Sequence, residues 1–494
     1  MDFISISFGL FLLIGVIVYY SIPTNKQWIW LLILGMFFYA VAAGKLSFFI
    51  IMSVLTSYGF GLFAQWIAGK DMDQKKKKIY GRIALFVVIF GNAFVLFFLK
   101  TAASGTAWAS KLGISRFAYL VPIGISFYTL QIIAYCVDVY KGVIKPQRNL
   151  FKYALFVSFF PQILQGPIPR YAELGSQLYN GHKFDYQKVT FGLQLILWGF
   201  FQKLVIADRA NIVVNRIFGE YESFKGFIIL VGGILYSIQL YADFSGCVCI
   251  AKGSAALFGI ELSDNFNHPY FADSVSDFWH RWHLSLSQWL RDYIYIPLGG
   301  NRKGKVRKYI NILITFFVSG MWHGIGLHYL VWGMMHGLYQ VIGNLLMPVR
   351  DFVVKKFSIN RKSFSHRLLK QSVTFFLVMC AWIVFRADSM TQVIGMFRNL
   401  FASFNPWVFV NGELYLLGIS GMEFRLLLFG IFIMWAVAML QEKFQKEGKS
   451  IRIVLSNQSL VFRWLVIFTA LFAVIIFGVY GPGYDAAQFI YGGF

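Results

Sequence analysis

Charged residues are scarce in this sequence: they make up 14% of its 494 residues, whereas hydrophobic residues make up 58%. So little polar surface cannot cover a water-soluble core of this size. The 54 phenylalanines, 26 tyrosines and 14 tryptophans add to the apolar surface. The composition therefore excludes an ordinary soluble protein and indicates a chain that lies in a membrane.

Cysteine is also rare, and all four cysteines, Cys136, Cys247, Cys249 and Cys380, lie in apolar segments. This placement argues against a disulfide framework of the kind found in small secreted domains. Cys247 and Cys249 have the wrong spacing for a zinc site, and no second Cys or His pair is close in sequence. We expect no bound metal, and we expect the cysteines to act as small apolar side chains in helix contacts.

Acidic residues are few: 22 Asp and Glu stand against 45 Lys and Arg, which gives a net charge of +23. A charge of this sign can indicate nucleic-acid binding, but here the basic residues are concentrated in short loops between apolar runs. That pattern is typical of cytoplasmic loops in membrane proteins, so we expect no nucleic-acid partner. The five basic loops are Lys70 to Arg82, Lys141 to Arg148, Arg302 to Lys308, Arg350 to Lys370 and Glu442 to Arg452.

Long apolar runs are what the sequence has in abundance. About 20 apolar residues cross a typical hydrocarbon core as a helix, and runs near that length recur along the chain. They include Phe3 to Ile22, Gln27 to Ala43, Leu46 to Ala68, Ile83 to Lys100, Phe117 to Tyr140, Phe227 to Ile250 and Trp464 to Tyr480. We predict an all-α polytopic membrane protein in which ten or more transmembrane or re-entrant helices surround an intramembrane tunnel.

The order of apolar runs and basic loops predicts an orientation in the inner (plasma) membrane. Two runs separate successive basic loops wherever they can be counted, which fits five loops on the cytoplasmic side. Three runs precede the first loop and one follows the last, so we expect both termini to be extracytoplasmic. The crossings between Arg148 and Arg302 cannot be counted, because polar and proline-broken sequence interrupts the apolar runs there.

Histidines cluster in one part of the chain, since five of the eight fall between residues 280 and 336. Polar groups at membrane depth usually face a cavity or a substrate path, so we predict a catalytic segment over residues 277–336. Its first part, Asp277 to Tyr293, reads as one amphipathic helix with His283 in the middle of an aromatic face. On this pattern alone, a lone histidine at such a place is more often a core residue than a functional one.

A second interruption lies at Ser319 to Gly326, where three glycines and a serine in eight residues predict a broken helix. Non-helical backbone at membrane depth is tolerated where it lines a cavity or is buried in protein. His323 sits at this break, and the pattern leaves a packing role and a functional role equally open. Trp332 and His336 lie one helical turn apart, where we favour a packing role.

Asp243 is a further candidate, because this carboxylate stands within the apolar run that begins at Phe227. A structural ion pair and a pocket-shaping role both fit a charged residue at such a position. We favour the pocket-shaping role.

Several motifs together carry a resemblance. They are Pro122 to Tyr128, Phe160-Pro161-Gln162 with Gly166-Pro167, Tyr241 to Gly246, Asp264 to Asn267, Phe278 to Gly300, Trp322-His323-Gly324, Trp332-Gly333, Phe385-Arg386-Ala387 and Phe489-Ile490-Tyr491. In this order the sequence resembles the membrane-bound O-acyltransferase family, and within it the bacterial branch that includes alginate O-acetyltransferases. The resemblance covers nearly the whole chain and implies a single domain over residues 1–494.

The resemblance implies roles for particular residues. His323 corresponds to the catalytic histidine of the family, and His283 corresponds to the second histidine of its Arg-Trp-His segment. We expect His323 to accept the proton of an acceptor hydroxyl, and His283 to position a thioester or to stabilise the oxyanion. The residues expected to contact the donor are Asp243, Arg281, Trp282, Asn301 and Trp322.

The implied activity is O-acyl transfer, with acetyl-CoA as donor substrate and no bound cofactor. Acetyl-CoA is expected to approach the basic cytoplasmic face, and the acceptor is expected to be an extracytoplasmic SGNH-type protein or a cell-surface polysaccharide. Membrane lipid surrounds the chain. Two alternatives remain open: D-alanyl transfer to teichoic acid from a carrier-protein thioester, and a lipid-linked sugar transporter that uses its His and Asp residues as a proton relay.

Overall fold

The computed structural model of the protein describes residues 4–163 and 165–480. Over those residues the chain is α-helical and contains no β-strand, which confirms the predicted all-α fold. We number the α-helices of seven or more residues. The first ten are α1 (Ile6–Ser21), α2 (Gln27–Ala43), α3 (Ser47–Gly69), α4 (Gln74–Ala103), α5 (Ile125–Tyr140), α6 (Leu150–Ser158), α7 (Tyr171–Asn180), α8 (Tyr186–Phe200), α9 (Asp208–Gly219) and α10 (Phe227–Ala256).

A π-helical stretch, Phe201–Ala207, joins α8 to α9. After Ala256, a stretch of irregular chain precedes the remaining helices. The later helices are α11 (Leu284–Leu290), α12 (Gly304–His323), α13 (Leu327–Leu345), α14 (Met347–Lys356), α15 (Phe364–Arg386), α16 (Met390–Phe401), α17 (Gly421–Lys446) and α18 (Leu460–Phe477).

Membrane spans account for much of this helical structure. Within the described ranges, seven helical stretches are long and apolar enough to cross a membrane, and the bent pair Ile114–Leu120 and Ile125–Tyr140 makes an eighth if it counts as one span. One stretch, Thr24–Gly69, has 46 residues and would be roughly 70 Å long, more than twice a typical hydrocarbon core. The break at Gly44 divides this stretch into α2 and α3. Because several such stretches occur along the chain, the protein is a multi-pass membrane protein.

Local capping explains where several helices begin. Ser5, Asn149, Ser363 and Ser459 each accept a hydrogen bond from a backbone N–H of the first turn of α1, α6, α15 and α18. α17 begins with a capping box around Ser420, whose hydroxyl accepts from the third helical N–H. Such caps satisfy backbone donors that have no partner within the helix.

The described residues fall into two compact units. The first holds the chain up to Ile196 together with Cys247–Asp264, and the second holds Leu197–Gly246 and the chain from Asn265 onwards. In the first unit, the rings of Phe8, Phe11, Phe38 and Phe160 pack against one another with centroid distances from 5.1 to 6.4 Å. All candidate site residues belong to the second unit.

The second unit contains a tight hairpin of α12 and α13. A Cβ atom added to Gly333 would lie 2.3 Å from the carbonyl oxygen of Phe316, and one added to Gly320 would lie 2.5 Å from that of Tyr329. Only glycine permits so close an approach of the two backbones. The hairpin therefore depends on these two glycines, and its turn follows His323 directly. The predicted tunnel and the predicted single domain over residues 1–494 stay predictions.

Candidate active site

His323 is the last residue of α12 and is buried, with 3% of its surface exposed. Aromatic rings surround its imidazole: the centroid distances are 4.7 Å to Trp322, 4.9 Å to Trp332 and 5.2 Å to Phe385. Trp332 lies on α13, and Phe385 lies near the end of α15. Three helices of the second unit therefore hold this histidine in an apolar cage.

The helix break near His323 begins later than the sequence predicts. The expected interruption at Ser319 to Gly326 was wrong in its first half, because α12 continues through Gly320 and ends at His323. Gly320 stays helical since its missing side chain allows the contact with α13. The chain turns at Gly324, where an added Cβ would lie 2.2 Å from the ring of Tyr329.

His283 lies at a helix break, and the predicted continuous amphipathic helix over Asp277 to Tyr293 is wrong. The structure has a short helix Val275–Trp279, then α11, with His283 between them in the left-handed region at φ 45° and ψ 56°. The reason is backbone pairing with a preceding segment. The N–H of Asn267 donates to the carbonyl of Arg281 at 2.9 Å, and the N–H of Leu284 donates to that of Asn265 at 3.0 Å.

These tertiary bonds bring His283 into the same aromatic environment as His323. Its ring centroid lies 4.8 Å from Phe244 and 6.1 Å from Trp322, and Trp322 in turn contacts His323. The residue is outside the membrane-spanning helices and is 1% exposed. Burial in these surroundings lowers the pKa of His283 to about 3, because an imidazolium would lose its hydration there.

Asn265 is a polar partner of His283. Its side-chain oxygen lies 3.3 Å from His283 Nδ1, 3.1 Å from the backbone nitrogen of Ser285 and 2.8 Å from Ser285 Oγ. Asn265 therefore caps α11 from a distant part of the chain and contacts the histidine that precedes this helix. In the sequence, Asn265 is recognisable only as part of the motif Asp264 to Asn267, and no role is expected for it.

His336 occupies a different place in the aromatic cluster. Trp279 Nε1 donates a hydrogen bond to His336 Nδ1 at 3.2 Å, and the rings of Trp332 and Trp279 each lie 5.1 Å from it. The imidazole is fully buried and packs among aromatic rings, as expected for a packing residue, although only its Nδ1 has a hydrogen-bond partner among the described residues.

The other expected donor-contact residues are dispersed. Trp282 is buried against Phe266 and Trp382, whose ring centroids both lie 5.0 Å away. Arg281 pairs with Asp277 at 3.1 Å, and Asn301 is exposed in the turn before α12. The structure thus brings His283, Trp322 and His323 together, whereas it places Asn301 at the surface.

Asp243 is engaged by a lysine that the sequence analysis missed. Lys203 Nζ lies 2.7 Å from Asp243 Oδ1 and 2.8 Å from Asp208 Oδ1, and all three side chains are nearly buried. Lys203 belongs to the π-helical stretch between α8 and α9. The sequence contains one sign of this ion pair: Lys203 lies inside the apolar run from Phe191 to Ile206. A charge at membrane depth requires a partner.

The fold and site define a polytopic α-helical membrane protein with two buried histidines in ring contact with one tryptophan. A model of the MBOAT, membrane-bound O-acyltransferase family matches residues 143–385, a range that includes both histidines, Asp243 and Lys203. The chain is 33% identical over 405 residues to the probable alginate O-acetylase AlgI of Azotobacter vinelandii, which covers 81% of this chain and 77% of the relative. It is 31% identical over 401 residues to the peptidoglycan O-acetyltransferase of Helicobacter pylori (strain ATCC 700392 / 26695), covering 75% of this chain and 73% of that protein.

The chain therefore belongs to the membrane-bound O-acyltransferase family, as the sequence motifs predicted. A further match, to the probable alginate O-acetylase AlgI of Pseudomonas syringae pv. tomato (strain ATCC BAA-871 / DC3000), has 38% identity over 288 residues. That alignment covers 58% of this chain and 53% of the relative, so in it the chain spans about half the length of the relative.

Proposed function

We propose that this protein is an O-acyltransferase that moves an acetyl group from cytoplasmic acetyl-CoA to a hydroxyl on the extracytoplasmic side of the inner membrane. The observation that carries the proposal is the placement of His283 and His323, both buried, in ring contact with the same Trp322. Both histidines lie inside the region that matches the family model. Two relatives that support acetyl as the group are named as O-acetylating enzymes.

The proposed step needs a base, because an alcohol is a weak nucleophile until its proton is removed. The hydroxyl oxygen attacks the thioester carbonyl carbon while His323 takes the hydroxyl proton. The carbon–sulfur bond then breaks, the acetyl ester forms, and the CoA thiolate recovers the proton from His323. Histidine suits this exchange at neutral pH.

α12 is not one of the seven apolar stretches counted above, but its length is that of a membrane span and supports transfer across the membrane. Arg302, Lys303 and Lys305 are exposed at its start, where they can attract the phosphates of CoA. The helix has 20 residues, so His323 lies roughly 30 Å along the axis from that end. A typical hydrocarbon core has about this thickness. A cytoplasmic donor and an extracytoplasmic acceptor would thus meet near the far end of the helix.

The distribution of the basic loops supports an orientation with both termini outside the cytoplasm. The acceptor is a hydroxyl of an extracytoplasmic SGNH-type protein or of a surface polysaccharide. The names of the relatives, which refer to alginate and peptidoglycan, support a polysaccharide as the final acceptor.

Purified protein in liposomes, supplied with radiolabelled acetyl-CoA and with unacetylated alginate or peptidoglycan fragments, tests the proposal. We expect His323-dependent loss of acetyl-CoA and gain of label in one of the glycans. If acetyl-CoA stays intact while a D-alanyl carrier-protein thioester is consumed, the D-alanyl alternative replaces the proposal. If neither thioester is consumed and a lipid-linked sugar crosses the bilayer, the protein is a transporter.

A further inference from the structure

The side-chain amide of Asn265 has only one orientation that fits its neighbours. The backbone N–H of Ser285 lies 3.1 Å from the atom assigned as Oδ1, and a backbone N–H can only donate. The atom facing it is therefore the carbonyl oxygen and not the amide nitrogen of Asn265. This settles a choice that geometry often leaves ambiguous for asparagine.

The orientation of Asn265 determines the tautomer of His283. Oδ1 accepts hydrogen bonds and cannot donate one, so His283 Nδ1, 3.3 Å away, is the nitrogen that carries the proton. In the neutral imidazole, Nε2 then holds the lone pair. A ring in this state accepts a hydrogen bond through Nε2 and does not donate one from it.

The backbone around His283 supports the same arrangement. A left-handed conformation is strained for a non-glycine residue and persists where surrounding contacts enforce it. Here the enforcing contacts are the backbone bonds from Asn267 to Arg281 and from Leu284 to Asn265, on both sides of His283. Asn265 itself is 1% exposed, so water does not compete for its oxygen. The histidine and its partner are thus held by one continuous set of bonds.

We propose that Asn265 is a positioning residue that holds His283 in the Nδ1–H tautomer, so that His283 acts on the substrates as a hydrogen-bond acceptor. The family resemblance implies that His283 positions a thioester or stabilises the oxyanion, and both tasks need a hydrogen-bond donor. This assignment therefore excludes both tasks for Nε2 of the neutral ring and leaves His283 to position an N–H or O–H group of a substrate. The catalytic part of the inference rests on the proposed acyl transfer. The tautomer does not, and it is tested separately.

Nitrogen-15 NMR of the full-length protein with labelled histidine tests the tautomer directly, because a protonated and an unprotonated ring nitrogen resonate at well separated positions. The His283→Gln variant identifies the His283 signals by difference. We expect Nδ1 to appear protonated and Nε2 unprotonated near neutral pH. A spectrum in which His283 carries its proton on Nε2 would overturn the assignment, whatever the protein's activity.

A double-mutant cycle tests whether Asn265 acts through His283. At metal sites, loss of a group that orients a histidine typically costs about 10–100-fold, and we expect Asn265→Ala to lower kcat by a similar factor. In the His283→Ala background the same change should alter kcat less than about threefold, since its target is absent. If Asn265→Ala lowers kcat by the same factor in both backgrounds, Asn265 acts only on folding, and the inference is refuted.

Two further variants serve as controls for the cycle. Ser285→Ala removes a different hydrogen bond to the same Asn265 oxygen and should cost less than Asn265→Ala. Asn265→Asp keeps an acceptor beside Nδ1 and should recover more activity than Asn265→Ala, even if the alanine variant folds poorly. If His283→Ala itself leaves transfer unchanged, the proposed catalytic site is wrong, while the NMR result still decides the tautomer.

Discussion

The ammonium group of Lys203 lies 2.7 Å from the carboxylate of Asp243, and both side chains are almost completely buried. Asp208 holds the same ammonium at 2.8 Å. Charges removed from water are tolerated when they are paired and hydrogen-bonded, so this arrangement explains how a lysine and two aspartates reside among apolar helices. It also gives Asp243 a structural task besides the donor contact expected from the sequence.

We predict that Asp243→Asn lowers the thermal stability of the purified protein, because it weakens the pairing of a buried lysine. Breaking a buried pair typically costs about 3–5 kcal/mol, and the remaining Asp208 should reduce that loss. Lys203→Met leaves both carboxylates without their ammonium and should be the more damaging change. Thermal unfolding in detergent measures both. A raised KM for acetyl-CoA with unchanged unfolding temperature would instead assign Asp243 to donor binding.

The two site histidines should respond differently to removal. His323→Ala removes the proposed base and should lower kcat by about 10²–10⁴-fold, whereas His283→Ala removes a hydrogen-bond acceptor that positions a substrate, a loss of about 10²-fold. His336→Gln is the control, since that ring is bonded to Trp279 and should affect stability more than turnover. Steady-state kinetics with acetyl-CoA, together with unfolding temperatures, check these outcomes. Full activity of His323→Ala would exclude it as the base.

Close contact between α12 and α13 should be needed to place His323. Gly333→Ala would put a Cβ atom 2.3 Å from the carbonyl oxygen of Phe316, so the helices must separate. Because a shift of about 1 Å in a reacting group can cost about 10²-fold, we expect a loss of that order in kcat. Gly343→Ala in the same helix is the matched control, since nothing lies within 4 Å of its added Cβ. Similar losses for both variants would contradict the prediction.

The exposed basic residues at the start of α12 should attract the donor. Changing Arg302, Lys303 and Lys305 together to glutamate should raise the KM for acetyl-CoA at low salt, and the effect should shrink as salt screens the charges. The control changes three exposed lysines of another predicted cytoplasmic loop, and these are Lys75, Lys76 and Lys78. An equal rise in KM for both triple variants, or a change in kcat alone, would argue against a specific steering surface.

Membrane orientation can be tested with reporter fusions. An alkaline phosphatase fused after Phe494 should be active, because this enzyme matures only outside the cytoplasm and the C-terminus is predicted to lie there. The same reporter inserted in the basic loop Arg350 to Lys370 should be inactive. The opposite pair of results would invert the orientation and place the basic loops outside, contrary to the usual distribution of Lys and Arg.

Around His283, the sequence pattern predicts an aromatic face but not the break in the helix. The helical pattern over Asp277 to Tyr293 predicts an aromatic face, and its tryptophans Trp279, Trp282 and Trp289 are buried, but the pattern treats the segment as one helix. The helix is interrupted by bonds to Asn265 and Asn267, residues that periodicity within the segment cannot reveal. Likewise, the glycines around Gly320 predicted a helix break there. In the structure, Gly320 stays within α12 and contacts α13.

The sequence by itself determined that this protein is helical and lies in a membrane, because composition and apolar run length decide those properties locally. Its motifs also determined the family. Only the tertiary structure decided that His283 and His323 contact the same tryptophan, that Asn265 orients His283, and that Lys203 neutralises Asp243. Asn265 and His283 are 18 positions apart in sequence, and Lys203 and Asp243 are 40 positions apart. Their contacts therefore depend on how the chain packs in three dimensions.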